Sequence, residues 1–154
     1  FRRAQKHRDN FINWSVKQLN LTNVKTICLE DIKSLRYKTT ANRLMSHWPY
    51  PTIRAAIEAL ASQHGVHVEV KSPIYTSQRC SCCGWTQKKN RKGKQFKCMK
   101  CGFAADADLN AATNLSLPLI KLTKSALQLK LNKEGFYFTL VGQELIVPVS
   151  HEAE

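Results

Sequence analysis

The stretch CSCCGWTQKKNRKGKQFKCMKCGF, residues 80–103, decides how this chain is read. Cys80, Cys83, Cys98 and Cys101 stand as Cys-x-x-Cys, a fourteen-residue gap and a second Cys-x-x-Cys. Two adjacent thiolate pairs can occupy the four corners of one tetrahedral zinc ion, and the spacing is that of a zinc ribbon. Gly84 and Gly102 each follow the second cysteine of a pair, where the backbone wrapping the sulfur often needs φ > 0. Cys82 lies between two ligands and could compete for the metal, but the repeated Cys-Gly register selects Cys83. A closed four-sulfur site is structural, so the zinc is assigned no catalytic part. A disulfide framework fits poorly with a charge-rich chain that shows no secretion signal. Cys28, far from this grid, is expected to be a small core residue of a strand.

The same stretch is strongly basic. Between residues 79 and 100 the charged side chains are Arg79, Lys88, Lys89, Arg91, Lys92, Lys94, Lys97 and Lys100, with no Asp or Glu among them. Such a cluster on a small metal-pinned module gains from counterion release on binding phosphate, and lysines between the knuckles favour backbone contact over sequence readout. Arg79, Lys88, Lys89, Arg91, Lys92, Lys94 and Lys97 are therefore the expected nucleic-acid-binding residues, with Trp85 as a ring for base stacking. The competing reading of Trp85 and Phe96 is that they fill the ribbon's minimal core.

The whole chain repeats the bias. Its 154 residues carry 24 Lys plus Arg against 11 Asp plus Glu, a formal charge of +13. With a pI near 9.7, polyanions are the expected partners, nucleic acid ahead of an anionic membrane surface, and a merely solvated basic face is the bland alternative. At 43% hydrophobic and 23% charged, wholesale disorder is excluded and one sizeable core is possible. No run of 18 apolar residues exists to span a bilayer. There is no signal-peptide pattern and Phe1 is not an initiator Met, so the chain reads as an intracellular, cytoplasmic piece of something longer.

Before the ribbon, residues 1–20 place Phe1, Ala4, Phe11, Ile12, Ser15, Val16 and Leu19 at helical spacing, with most basic residues elsewhere, which predicts a basic amphipathic helix. Val24–Glu30 reads as a short strand, and Asp31–Tyr50 as a loop with one helical turn. Ile53, Ala56, Ile57, Leu60 and Ala61 form a helical stripe after Pro51, with Gly65 as its C-terminal cap. Val66, Val68 and Val70 then alternate with His67, Glu69 and Lys71 as a strand with one buried face. Strand, helix, strand is a βαβ unit with parallel pairing. After the ribbon, Asp106–Leu117 reads as a short helix, and Phe136–Val141 with Glu144–Val149 as a hairpin.

Carboxylates are scarce enough to be noticed. Glu30 ends the first strand, followed by Asp31, and Asp106 and Asp108 follow the last cysteine. A strand-end and a helix-start carboxylate could converge to hold Mg²⁺. By pattern alone, an Asp at a helix start is more often a cap and a strand-end Glu-Asp more often simply solvated.

The wording of the sequence adds to this. Tyr75-Thr-Ser-Gln-Arg-Cys80-Ser-Cys-Cys83-Gly, Cys98-Met-Lys-Cys101-Gly-Phe and Asp106-Ala-Asp108-Leu-Asn110-Ala-Ala112, with Leu29-Glu30-Asp31 and the basic helix before them, closely resemble the C-terminal part of the TnpB (OrfB) proteins. These are encoded by insertion sequences and are relatives of the miniature type V CRISPR effectors. The match takes in about residues 1–117, and the tail beyond Leu117 shows no family motif.

The resemblance implies an RNA-guided DNA endonuclease, with DNA and guide RNA as partners and a RuvC-like, ribonuclease-H-type fold interrupted by the ribbon. Three acidic residues in that family hold two Mg²⁺ ions for phosphodiester hydrolysis. By motif, Glu30 would be the second and Asp108 the third, leaving Asp106 to helix-start electrostatics and Asn110 to positioning the helix. The family's first catalytic Asp has no counterpart in the chain, since Asp9 lies in a helix, so the polypeptide alone is expected to be inactive.

The expected fold is thus α/β, a partial RuvC-like fold with an inserted four-cysteine zinc ribbon. It divides into a partial α/β segment (1–74), the ribbon (75–104), a closing helix (105–118) and a divergent tail (119–154). The alternative function is a non-catalytic zinc-ribbon nucleic-acid-binding protein; a weaker one is an interaction module using the tail hairpin.

Overall fold

The computed structural model describes residues 2–32 and 48–143. Most of the loop expected across Asp31–Tyr50, and the second limb of the expected tail hairpin, lie outside the described residues. The chain forms two units, Phe1–Lys71 and Ser72–Glu154.

In the first unit, helix α1 (Arg2–Lys17) buries Ile12 and Val16, one turn apart on one face, and lies against α2 (Tyr50–Gln63). Ser15 is half-buried beside Ile12 and Val16, and Phe1 lies outside the described residues. Ala4, Phe11 and Leu19 of the expected stripe are corrected to exposed: Phe11 stands about 100° round the helix from Ile12 and cannot share its face, and Leu19 lies past the end of the helix at Lys17.

α2 begins with Pro51 in its first turn, where a missing N–H leaves nothing unpaired. It ends as the glycine predicts. Gly65, at φ +65°, sends its N–H to the Ser62 carbonyl (3.3 Å), and Val66 donates to the Ala61 carbonyl (2.9 Å), the two bonds of a Schellman cap.

Strands β1 (Thr26–Glu30) and β2 (His67–Lys71) pair in parallel, from Thr26 opposite His67 to Glu30 opposite Lys71. This is the expected βαβ unit, and the alternation of β2 leaves Val68 and Val70 more covered than His67 and Glu69. Cys28 is corrected: it is half-buried, not core, with its Sγ 4.0 Å from the carboxylate of Glu69 opposite it.

The second unit contains the cysteine grid. An antiparallel sheet of β4 (Arg91–Lys92), β5 (Gln95–Lys97) and β6 (Ala104–Asp106) leads into helix α3 (Ala107–Ser116). The chain then passes through the one-turn helix α4 (Lys124–Gln128) to β7 (Phe136–Tyr137). The first limb of the expected hairpin contributes β7. β7 runs antiparallel to β3 (Trp85–Thr86), within the ribbon, and Leu140 bridges to Leu119.

The interior of this unit is small. Cys80, Trp85, Phe96, Cys98 and Ala107 are buried together, with Cys83, Phe103 and Tyr137 packed against them. Phe136 and Phe138 from the tail add a second aromatic group, set edge-on to Tyr75 at 5.3 and 6.5 Å. Among the described residues no helix is long and apolar enough to cross a membrane.

Candidate functional site

The two cysteine pairs sit in matching turns. In the first, Gly84 donates to the Cys80 carbonyl (2.9 Å) and Cys80 to that of Trp85 (2.8 Å); in the second, Gly102 donates to Cys98 (3.1 Å) and Cys98 to Phe103 (2.8 Å). Both glycines have positive φ, +81° and +76°, as the repeated Cys-Gly register predicts.

The turns bring four sulfurs together. Cys80, Cys83, Cys98 and Cys101 Sγ all lie within 4.8 Å of one another, while Cys82 is exposed and outside the group. Cys80 to Cys101 is 3.8 Å and Cys83 to Cys98 is 3.7 Å. A tetrahedron with metal–sulfur arms of about 2.3 Å has edges of about 3.8 Å, so the donor set fits a four-coordinate metal ion. The amides of Lys100 and Cys101 point at Cys98 Sγ (3.4 and 3.5 Å), as donors to a thiolate would.

Burial pushes the Cys80 thiol up to about 11 and raises Cys83 as well, whereas the Phe103 N–H brings Cys101 down to about 7. Metal binding here must displace protons from buried thiols.

Arg79, expected to face phosphate, is a correction. It is only 6% exposed, and its guanidinium donates inward: Nε to the Phe138 carbonyl (2.7 Å), and Nη1 to the Cys80 carbonyl (3.2 Å) and Asn114 Oδ1 (2.7 Å). Burial lowers its pKa while Cys80 and Cys83 act to raise it, so this cation belongs with the sulfurs. Trp85 is likewise buried, edge-on to Tyr137 at 5.1 Å with Lys100 Nζ 5.5 Å from its ring centroid. Of its two readings, core position is the one its burial matches, as with the fully buried Phe96.

Three buried asparagines hold the cysteine turns in place. Asn90 donates to the Gln78 and Trp85 carbonyls (2.9 and 3.1 Å) and accepts from Met99 N–H (3.0 Å), joining one turn to the other. Asn110 donates to the Arg79 carbonyl (2.8 Å) and accepts from Ser81 N–H (3.0 Å). Asn114, one turn on, donates to the carbonyls of Thr76 and Arg79 (2.9 and 2.7 Å). Sequence reasoning singled out only Asn110, as a helix-start residue; the i, i+4 spacing of Asn110 and Asn114 on a short helix was the available signal.

Outside this core, Lys88, Lys89, Lys92, Lys94, Lys97 and Lys100 are exposed. In the three-stranded sheet Phe96 is buried opposite Arg91, while Lys92, Gln95 and Lys97 point to the other, solvent-facing side. Lys94 lies in the turn between the strands. Arg91 is half-buried and bridges to Asp108 (Nη2 to Oδ1, 2.8 Å).

The two candidate carboxylates sit in different units. Asp108 opens α3 and is 70% exposed. Asp106 is the cap of that helix, accepting from the Asp108 and Leu109 N–H groups (2.9 and 3.0 Å). Those bonds, Leu109 first, hold its carboxyl below the ordinary value. In the first unit, Glu30 closes β1; the Tyr50 hydroxyl donates to its carbonyl, and the next amide, Asp31, donates to Lys71 (2.7 Å).

Parts of this chain are similar to known proteins. Residues 50–115 match the family described as Cas12f1-like, TNB domain. A CRISPR-associated endodeoxyribonuclease Cas12f1 from an uncultured archaeon is 36% identical over 111 residues, 66% of this chain and 21% of that protein. A putative RNA-guided DNA endonuclease InsQ of Escherichia coli is 36% identical over 84 residues, 54% of this chain and 21% of its own. In a Cas12f1–sgRNA–target DNA complex, the similar region has a TM-score of 0.63 at 30% identity, covering 76% of this chain and 35% of that one. The chain thus spans about a fifth of the length of these two curated relatives. The resemblance to TnpB-type and miniature type V proteins carried by its cysteine grid and Asp-x-Asn-Ala-Ala string therefore holds in sequence and in fold, and residues 50–115 match the Cas12f1-like, TNB domain.

Proposed function

We propose that this chain is the C-terminal portion of an RNA-guided, transposon- or CRISPR-type DNA endonuclease acting inside the cell, with the second unit as its zinc-held target-nucleic-acid-binding module. The observation that carries the reading is the sulfur tetrahedron packed with the buried Phe96 of a sheet whose opposite face presents Lys92 and Lys97, beside Gln95 and Asp106, to solvent. Zinc suits four thiolates and no water, and it would serve structure, not turnover. Four thiolates on a divalent ion leave two negative charges, and the buried Arg79 guanidinium beside Cys80 offsets part of them.

The lysines supply sequence-independent contact with the phosphate backbone, and sequence would be read by a guide RNA pairing with its target. In the intact protein, on a RuvC-like fold, Glu30 and Asp108 would furnish two of three carboxylates for Mg²⁺. Bound Mg²⁺ supplies Lewis-acid stabilisation of the phosphoryl oxygens. Two carboxylates rarely hold a metal pair in the geometry of in-line displacement, so this 154-residue chain binds DNA without cutting it. The reading as a zinc-ribbon binder with no catalytic role draws on one observation, the engagement of Asp108 by Arg91.

Binding and cleavage assays on the 154-residue chain test the proposed reading. DNA affinity should fall steeply with salt, and Lys92→Gln with Lys97→Gln should flatten that slope by about 1 to 2 units of log K per log salt. No cleavage is expected with Mg²⁺. Turnover that disappears in Glu30→Gln would overturn the inactivity, and salt-independent binding would overturn the ribbon's assignment.

A further inference from the structure

The solvent-facing side of α1 is built around two rings. Phe11 is 66% and Trp14 60% exposed. They stack on each other with centroids 6.0 Å apart and planes 30° from parallel. At about 100° per residue, Arg3, His7, Phe11, Trp14 and Gln18 fall along one stripe, with Lys6, Asn10 and Lys17 beside it, away from the buried Ile12 and Val16. A stacked aromatic pair in water, on a helix whose Ile12 and Val16 are buried on the other side, marks a recognition surface.

The surrounding charge selects the partner. Along Arg2–Lys17 stand five Lys or Arg and one carboxylate, Asp9, which pairs with Arg8 at 2.8 Å. Arg2, Arg3, Lys6 and Lys17 are exposed. An apolar protein surface docking on the rings would have to desolvate these cations without compensation. A duplex would answer the charge but hide its base faces. A single strand offers both phosphates and open π-faces.

We propose that the exposed face of α1, Phe11 and Trp14 flanked by Arg3, Lys6 and Lys17, is a binding site for single-stranded nucleic acid. Bases stack on the aromatic pair and the flanking cations meet the phosphates on either side. None of these groups is suited to reading the sugar, so RNA and DNA strands bind alike. The site shares no residue with the ribbon and does not rest on the ribbon's function.

The test uses the intact 154-residue chain, with anisotropy titrations of labelled oligo-dT, oligo-U and a blunt duplex. Both rings are exposed, so Phe11→Ala with Trp14→Ala should keep the helical circular dichroism. It should weaken single-strand binding about 5- to 100-fold and leave duplex binding unchanged. Lys6→Gln with Lys17→Gln should instead lower the salt slope for single strands by about 1 to 1.5. Repeating both in a Lys92→Gln, Lys97→Gln background separates this face from the ribbon: were the ribbon reading to fail, the α1 effects would remain. Unchanged single-strand affinity in the folded aromatic variant overturns the proposal. So does loss of self-association in that variant, without loss of nucleic-acid binding, which would make the face a contact between copies.

Discussion

Gly135 occupies a position where no side chain fits. Its φ is +105°, and a Cβ there would lie 2.1 Å from Trp85 Cζ2. Gly135→Ala should therefore lower the stability of the second unit by about 1–3 kcal/mol, read from urea unfolding, through backbone strain and displacement of the indole. Asn114 is as exacting for a different reason. Asn114→Ala removes a donor from the Thr76 and Arg79 carbonyls, leaving Asn110 on the latter, and takes away the Oδ1 that accepts from the Arg79 guanidinium, and should cost about 1–3 kcal/mol by the same measurement. Single residues also mark the limits of reading the chain unaided. The four ligands and both glycine turns were legible, because metal coordination imposes a spacing that survives as text. Asn90 was not, since a buried amide between backbone groups resembles any loop asparagine, and Asn114 left no signal beyond its i, i+4 spacing from Asn110. Arg79 was misread because a charge count says nothing about depth; its burial depends on partners at Asn114 and Phe138, 35 and 59 residues away.

At the level of elements, the start of α3 is set by its acidic cap. The Asp106 carboxyl accepts from two helix N–H groups, which favour its charged form and lower its pKa from the ordinary 3.8. A group whose folded pKa is depressed adds stability above its unfolded value and loses it as pH falls through the folded one. Asp106→Asn, which cannot ionise, should thus be less stable than the parent at pH 6 and converge with it in strongly acidic solution, as denaturant midpoints at several pH values would show. Helices and the βαβ crossover were legible from apolar periodicity and the Pro51 and Gly65 signals. The outward turn of Phe11 was not, because a helical stripe tolerates adjacent apolar residues in a list although their side chains diverge. Nor was the pairing of β3 with β7: two-residue strands leave no periodic trace, and their partner choice is made by Gly135 and the aromatic packing around it.

At the scale of the whole molecule, the second unit has few apolar side chains at its centre, and two of the five buried members of that cluster are cysteines. Chelation should therefore abolish amide-exchange protection across Cys80–Asp106, since metal binding and folding of such small modules are coupled. Persistence of protection after complete metal removal would assign the fold to its asparagine bonds and aromatic packing alone. The sequence division into ribbon, helix and tail also meets a physical qualification here: the described tail, 119–143, lies in the same unit as the ribbon and supplies Phe136 and Phe138 to its interior.

That lid reaches the ribbon late. During synthesis the last sulfur donor, Cys101, emerges well before Phe138, whose carbonyl receives Arg79. A nascent ribbon can close on its ion while the indole of Trp85 and the edge of β3 still lack their cover, for as long as translation of some further 37 residues requires. A ribosome paused in that interval would hold a metallated but sticky intermediate, and β7 acts as the latch that ends its exposure.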